Sequence, residues 1–141
     1  MKIVQTTAIH KLDNQKKTEL ARLALDIRKM AYAPYSNLHV GAVVMTREGD
    51  IYSGVNIENA SFGATVCAER VAIFKAISEG HQKDIVALAV ASDQLKPIPP
   101  CGMCRQVLSE LKNEVTVLMV GADGTWIEEQ SSKLLPYRFE L

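Results

Sequence analysis

Three cysteines and one glutamate hold the densest chemistry in this chain: Cys67 and Glu69 within Cys67-Ala-Glu-Arg70, and Cys101 and Cys104 within Pro100-Cys-Gly-Met-Cys104. Cysteines three apart in the first turn of a helix share one face, so both sulfurs can reach one ion. A third thiol from a second helix start makes a donor set suited to tetrahedral zinc. Helix N-termini lower a cysteine's pKa, and two of them would direct positive dipole ends and free N–H groups at the sulfurs. Structural zinc sites are closed by four protein ligands, whereas catalytic ones leave a position for water. There is no fourth cysteine, and His10, His39 and His81, any of which could in principle close the site, lie far in sequence from both helix starts. Three thiolates on a divalent ion leave a formal charge of about −1, which opposes ionising a bound water, so Arg70 is the candidate charge compensator. Glu69 is a poor ligand for a thiolate-rich site and is better placed to move protons beside it.

Periodicity gives the elements that must position these residues. Leu20, Leu23, Ala24, Ile27, Met30 and Ala31 predict an amphipathic helix running to about Ala33, where Pro34 disfavours helical backbone. Residues 40–45 and 51–55 around the turn at 46–50 predict a β-hairpin, and 56–66, small and polar, a loop. Val71, Ala72, Phe74 and Ile77 mark a second helix opening at Cys67 and stopped by Gly80. The apolar run 85–91 suits a buried central strand, and the proline-rich stretch 96–100 a rigid loop. Val107, Leu108 and Leu111 mark a third helix, 115–120 a buried strand, and 125–127 a return strand. Residues 131–135 form at most a short helix. Helices alternating with buried strands predict a layered α/β domain, with 1–13 an extension lacking a clear assignment. Met30, Met45, Met103 and Met119 are expected to fill space.

At 141 residues, 48% hydrophobic and 23% charged, the chain has the length and composition of one globular domain, 1–141. Equal numbers of basic and acidic residues, 16 and 16, give a net charge of +0. That excludes the basic footprint of a nucleic-acid binder and the polybasic face of a membrane-surface protein. The longest apolar run falls well short of the roughly 18 residues that a membrane span needs. No apolar stretch follows the first residues as a secretory signal would require. An odd cysteine count then argues for metal or thiol chemistry rather than a disulfide framework. The expected location is the cytoplasm.

From about Ala31 to Phe139 the chain resembles the cytidine deaminase family, in its small three-cysteine class. The resemblance rests on Ala33-Pro-Tyr-Ser36, Val40-Gly-Ala42, Asn56-Ile-Glu-Asn-Ala60, Cys67-Ala-Glu-Arg70, Pro100-Cys-Gly-Met-Cys-Arg-Gln-Val107 and Leu134-Leu-Pro136, in that order. It implies a three-layer α/β/α domain with a mixed five-stranded sheet. It also implies one Zn²⁺ per subunit on Cys67, Cys101 and Cys104, activating a water for attack on C4 of a pyrimidine, with Glu69 as proton carrier. Asn56 and Glu58 are implied to bind the ribose hydroxyls and the Ala68 backbone N–H the base's O2, with Arg70 offsetting thiolate charge. Relatives of this length are homotetramers whose pockets neighbours complete, here through Phe62 and Phe139. The chain departs from the family pattern at Leu38, where Phe is usual, at Phe62, where Tyr is common, and at Pro99, where Ser is usual. It departs again at Tyr137-Arg138, usually Gly-Ala, and ends two residues after Phe139. These departures touch the substrate pocket and leave the cysteines and Glu69 in place.

The implied reaction is zinc-dependent hydrolytic deamination of cytidine and deoxycytidine in pyrimidine salvage. Two readings stand beside it: deamination of another aminopyrimidine nucleoside such as blasticidin S, and a non-catalytic zinc-stabilised oligomerisation module.

Overall fold

The structure, a computed structural model, describes residues 12–111 and 113–141. Helix α1 spans Asn14–Ile27 and runs into a 3₁₀ turn, Arg28–Met30. Strands β1 (Val40–Thr46) and β2 (Ile51–Val55) form the hairpin, and helix α2 spans Ala68–Ser78. Strand β3 (Ile85–Ser92), helix α3 (Gly102–Ser109), strands β4 (Thr116–Val120) and β5 (Trp126–Gln130) and a 3₁₀ turn, Ser131–Leu134, complete the order. The sheet has five strands in the order β2-β1-β3-β4-β5. Only β3 and β4 are parallel among the paired strands.

Successive side chains of a strand point to opposite faces, and here both faces are buried. Val43, Met45, Ala87, Ala89, Ala91, Leu118 and Val120 pack against Leu20, Ala21 and Ala24 of α1. Their alternates Ala42, Val44, Leu88, Val90, Val117 and Met119 pack against Ala72, Ile73 and Ala76 of α2 and Leu108 of α3. The result is the expected three-layer α/β/α sandwich. On the α2 face, Gly54 permits the closest approach: a Cβ there would lie 2.5 Å from both the Ala68 carbonyl oxygen and the Ala72 nitrogen.

Strand direction decides where the chemistry collects. β2 and β3 are both antiparallel to β1, so they point the same way. Their C-terminal ends and the start of β1 therefore share one edge of the sheet. The chain leaves β2 toward Cys67 and leaves β3 toward Cys101, which brings two helix starts to the same edge.

Three boundaries differ from the periodicity. Helix α1 begins at Asn14, well before Leu20, because the Asp13 carboxylate caps the Lys16 N–H at 2.8 Å and the first turn is polar. It ends before Ala33 because Ala31 is extended and the next residue joins a bridge: Tyr32 N–H donates to the Asn56 carbonyl at 3.0 Å, and Glu58 N–H to the Tyr32 carbonyl at 2.9 Å. Strand β5 reaches Gln130 rather than 127, its pairing with β4 continuing through Glu128 and Glu129. Met45 and Met119 are buried as expected, but Met30 and Met103 are 72% and 65% exposed and fill no internal space. Of the expected extension 1–13, all but Leu12 and Asp13 lies outside the described residues.

Candidate active site

Cys67 and Cys101 each occupy the N-cap of a helix, and Cys104 lies in the first turn of α3. The antiparallel bridge between Ile57 and Val66 delivers Cys67 to the sheet edge. The Pro-rich loop after β3 delivers Cys101. Cys67 Sγ lies 3.6 Å from Cys101 Sγ, which lies 3.6 Å from Cys104 Sγ. All three sulfurs fall within 4.8 Å of one another. Tetrahedral zinc with bonds of ~2.3 Å sets its sulfurs about 3.8 Å apart, so the observed spacing suits one shared ion. Cys104 is buried, Cys67 half-buried and Cys101 exposed.

The charges fit the same ion. Contact with the Cys104 thiol, opposed by burial and helped by Arg70, brings the Cys67 thiol down to about 5. Arg70 Nη2 donates to Cys67 Sγ at 3.4 Å. Cys104 is pushed up by its contact with Cys67, then by burial and the nearby Glu69 charge. The contact thus favours negative charge on Cys67 over Cys104. A divalent cation among the sulfurs supplies the positive charge that ionising the remaining thiols requires. Glu69, only 5% exposed, is pushed up to about 7, chiefly by burial.

Asn56 and Glu58 follow β2 and face the segment before β1. Asn56 Oδ1 accepts from Val40 N–H at 2.9 Å and its Nδ2 donates to the Leu38 carbonyl at 2.8 Å. Glu58 accepts from the backbone N–H groups of Tyr35 and Ser36 at 2.8 and 3.1 Å and from the Ser36 hydroxyl. The Ser36 hydroxyl, followed by these amides, holds the Glu58 carboxyl below its ordinary range despite burial. Ala68 is the first residue of α2, where a backbone N–H has no partner within the helix. Leu38 packs partly buried against the α2-side core. Phe62 and Phe139 are 84% and 65% exposed, so neither belongs to the core of its own chain. Gln106 Nε2 donates to the Phe139 carbonyl at 3.2 Å.

The histidines stand apart from the sulfurs. His39 pairs with Asp93 and His81 with Asp84, while His10 lies outside the described residues. Among the described residues, no histidine, aspartate or glutamate joins the three cysteines as a fourth metal-binding group. A cavity of about 670 Å³ lies elsewhere, between the end of α3 and the last residues, lined in part by Ser109, Glu114 and Arg138. It touches neither the sulfurs nor Glu69.

Residues 14–120 match the family model described as the cytidine and deoxycytidylate deaminase zinc-binding region. The chain belongs to this deaminase family. A cytidine deaminase of Halalkalibacterium halodurans is 48% identical over 121 residues, covering 85% of this chain and 91% of the relative. A blasticidin-S deaminase of Bacillus cereus is 33% identical, covering 89% of this chain and 94% of the relative. The crystal structure of the Burkholderia pseudomallei cytidine deaminase superposes with a TM-score of 0.81 at 39% identity, covering 91% of this chain and 100% of that one.

Deaminases of this family are hydrolases that bind zinc, and Cys67, Cys101 and Cys104 are the donors placed to hold it. The sequence singled out Pro-Tyr-Ser without giving Ser36 a task; its hydroxyl turns out to fix Glu58. Asp93 was not singled out, because both of its partners are remote in sequence.

Proposed function

We propose that this chain hydrolyses cytidine and deoxycytidine to uridine and deoxyuridine, releasing ammonia. A C–O bond forms at C4 of the pyrimidine and the C4–N4 bond breaks. When bound, zinc supplies Lewis acidity and lowers the pKa of water at the site. Glu69 removes a proton from the attacking water and delivers it to N3, then moves the remaining proton of the new C4 hydroxyl to N4, so that ammonia leaves as the C4 carbonyl forms. A carboxyl raised toward neutrality suits both directions of transfer. Arg70 offsets thiolate charge through its contact with Cys67. Asn56 and Glu58 receive the ribose hydroxyls, with one Nδ2 hydrogen of Asn56 and spare carboxylate lone pairs available for them. The Ala68 N–H meets the base's O2, Leu38 lines one wall of the base pocket, and Phe62 and Phe139 from neighbouring subunits complete it.

The observation that carries this reading is a buried Glu69 two residues from Cys67, beside three sulfurs spaced for one ion. The homotetramer with shared sites that the family resemblance implies is supported by the exposure of Phe62 and Phe139, neither of which packs into the core of its own chain. Salvage of pyrimidine nucleosides in the cytoplasm, by a single-domain chain, completes the proposal. No helix among the described residues is long and apolar enough to cross a membrane.

The test is a panel of cytidine, deoxycytidine and blasticidin S on purified protein, with and without a chelator, followed by loss of the amine's ultraviolet band. Chelator-sensitive turnover of cytidine is expected. Turnover confined to blasticidin S moves the substrate assignment to that relative's chemistry, and bound zinc without ammonia release from any of the three refutes an enzyme. Sedimentation that reports a monomer at assay concentration refutes the shared site.

A further inference from the structure

Asp93 follows directly on β3, at the edge where the two helix starts meet, and its carboxylate is shared by two other segments. Arg28 Nε donates to Oδ1 at 3.2 Å, and Arg28 is itself tied by Nη1 to the Leu25 carbonyl at 2.7 Å. The His39 backbone N–H donates to Oδ2 at 3.0 Å, and the His39 ring Nδ1 lies 2.9 Å from the same oxygen. Burial acts to raise the Asp93 pKa, but the His39 amide, the His39 ring and Arg28 outweigh it and leave the carboxyl below its ordinary range. An ionised carboxylate only accepts, so His39 Nδ1 carries the hydrogen of this bond.

His39 stands between the two residues that grip Asn56. Val40 N–H donates to Asn56 Oδ1, and Asn56 Nδ2 donates to the Leu38 carbonyl. Leu38 N–H in turn donates to Ser36 Oγ at 3.1 Å, and that hydroxyl donates to Glu58. A path of hydrogen bonds joined by the backbone of residues 38–40 therefore runs from Asp93 to Asn56 on one side and Glu58 on the other. Residues 34–39 form no regular element, so no strand or helix ladder fixes them. Asp93 supplies the anchor from a rigid central strand.

The geometry points to Asp93 as a positioning residue for the sugar end of the site, holding residues 38–40 so that Asn56 and Glu58 present their free valences to a nucleoside's ribose hydroxyls. This rests on the nucleoside reading above. Groups supporting a binding site act by fixing geometry, so loss of Asp93 should discriminate between substrates by their sugars.

Asp93→Ala and Asp93→Asn are compared with wild type as zinc-loaded enzymes, on cytidine and on the 2′,3′-dideoxynucleoside, which lacks the 2′- and 3′-hydroxyls. Losing about one hydrogen bond's contribution raises the cytidine KM roughly tenfold in Asp93→Ala, with kcat and zinc content little changed. The dideoxynucleoside is much less affected, so the preference for cytidine narrows. Asp93→Asn keeps an oxygen for the His39 N–H and recovers part of the loss. Equal losses on both substrates, or an unchanged KM, overturn the inference. Hydrogen exchange gives a readout without turnover: the Val40 amide should exchange about tenfold faster in Asp93→Ala, while the amide of Val44, deep in β1, keeps its protection. An unaltered Val40 amide overturns the inference even if cytidine is turned over. A wild-type protein that deaminates neither nucleoside refutes the proposed function instead, and the exchange result alone then decides whether Asp93 holds residues 38–40.

Discussion

Gly54→Ala tests whether the close approach of α2 to β2 sets the position of the metal-binding edge. The new Cβ would stand 2.5 Å from the Ala68 oxygen, 2.5 Å from the Ala72 nitrogen and 2.9 Å from Val71 Cβ. Two of these are backbone atoms that no rotamer change can move, so the first turns of α2 must retreat by about 1 Å to restore ordinary contact. Overpacking of this kind costs about 1–3 kcal/mol, which lowers the melting temperature by roughly 3–10 °C in a domain of this size. The same turns hold Cys67 and Glu69, and a displacement of about 1 Å at reacting groups can reduce turnover about 100-fold. Thermal melts, zinc titration and steady-state rates on the purified variant read all three consequences. Gly41→Ala is the control: its Cβ would clash with the Ala24 oxygen at 2.3 Å and the Arg28 nitrogen at 2.6 Å. Helix α1 carries none of the zinc donors or Glu69. That variant should lose comparable stability yet keep its zinc and its kcat, any kinetic change being confined to KM through Arg28 and Asp93. Gly54→Ala with wild-type zinc affinity and kcat would refute the reasoning.

Glu69→Gln should lower kcat on the order of 10²–10⁴-fold, the range for a lost general acid/base, with zinc content unchanged by metal analysis; near-normal turnover would remove Glu69 as proton carrier. Cys101→Ala should bind zinc poorly and melt at a lower temperature, because ligand loss couples to folding; full zinc stoichiometry would take Cys101 out of the donor set. Asp84 accepts from His81 Nδ1 at 3.0–3.2 Å and raises the His81 pKa. Its stabilisation is fully present below the imidazole's ordinary pKa and fades as pH rises through the raised folded value. Asp84→Asn should therefore lower the melting temperature more at about pH 6 than at about pH 9; an equal loss at both would refute the pairing.

What was legible in the sequence was short-range. Cys101 and Cys104 are three residues apart and Cys67 and Glu69 two, the apolar periodicity just after each group put them on helix starts, and the apolar runs of β1, β3 and β4 marked the sheet. Illegible features have physical causes of a different range. The first turn of α1 is polar because it faces water, so hydrophobic period cannot mark it; only Asp13 as a cap could have done so. Strand β5 carries Glu128 and Glu129 on the sheet's edge, where charge discourages pairing with other chains but also hides the strand. Asp93 meets His39 and Arg28 across 54 and 65 residues, and no local pattern reports a contact of that range.

The helix starts themselves link metal to stability. Asp13 caps α1 with its side chain, but neither Cys67 nor Cys101 makes a side-chain hydrogen bond to the first turn it precedes. A residue such as Ser or Asp in either place would contribute about 1 kcal/mol through such a bond. The sequence forgoes both caps, and the N–H groups and dipoles of α2 and α3 are left facing sulfur. Their partner is the thiolate charge, which the cluster cannot fully develop on its own because charge on Cys67 disfavours charge on the adjacent Cys104. A divalent ion removes that restriction, and with three thiolates formed the two helix ends gain the anionic neighbours they lack. Zinc thus acts as the shared cap of α2 and α3, and its removal should loosen the first turns of these two helices before it disturbs α1, whose cap is its own.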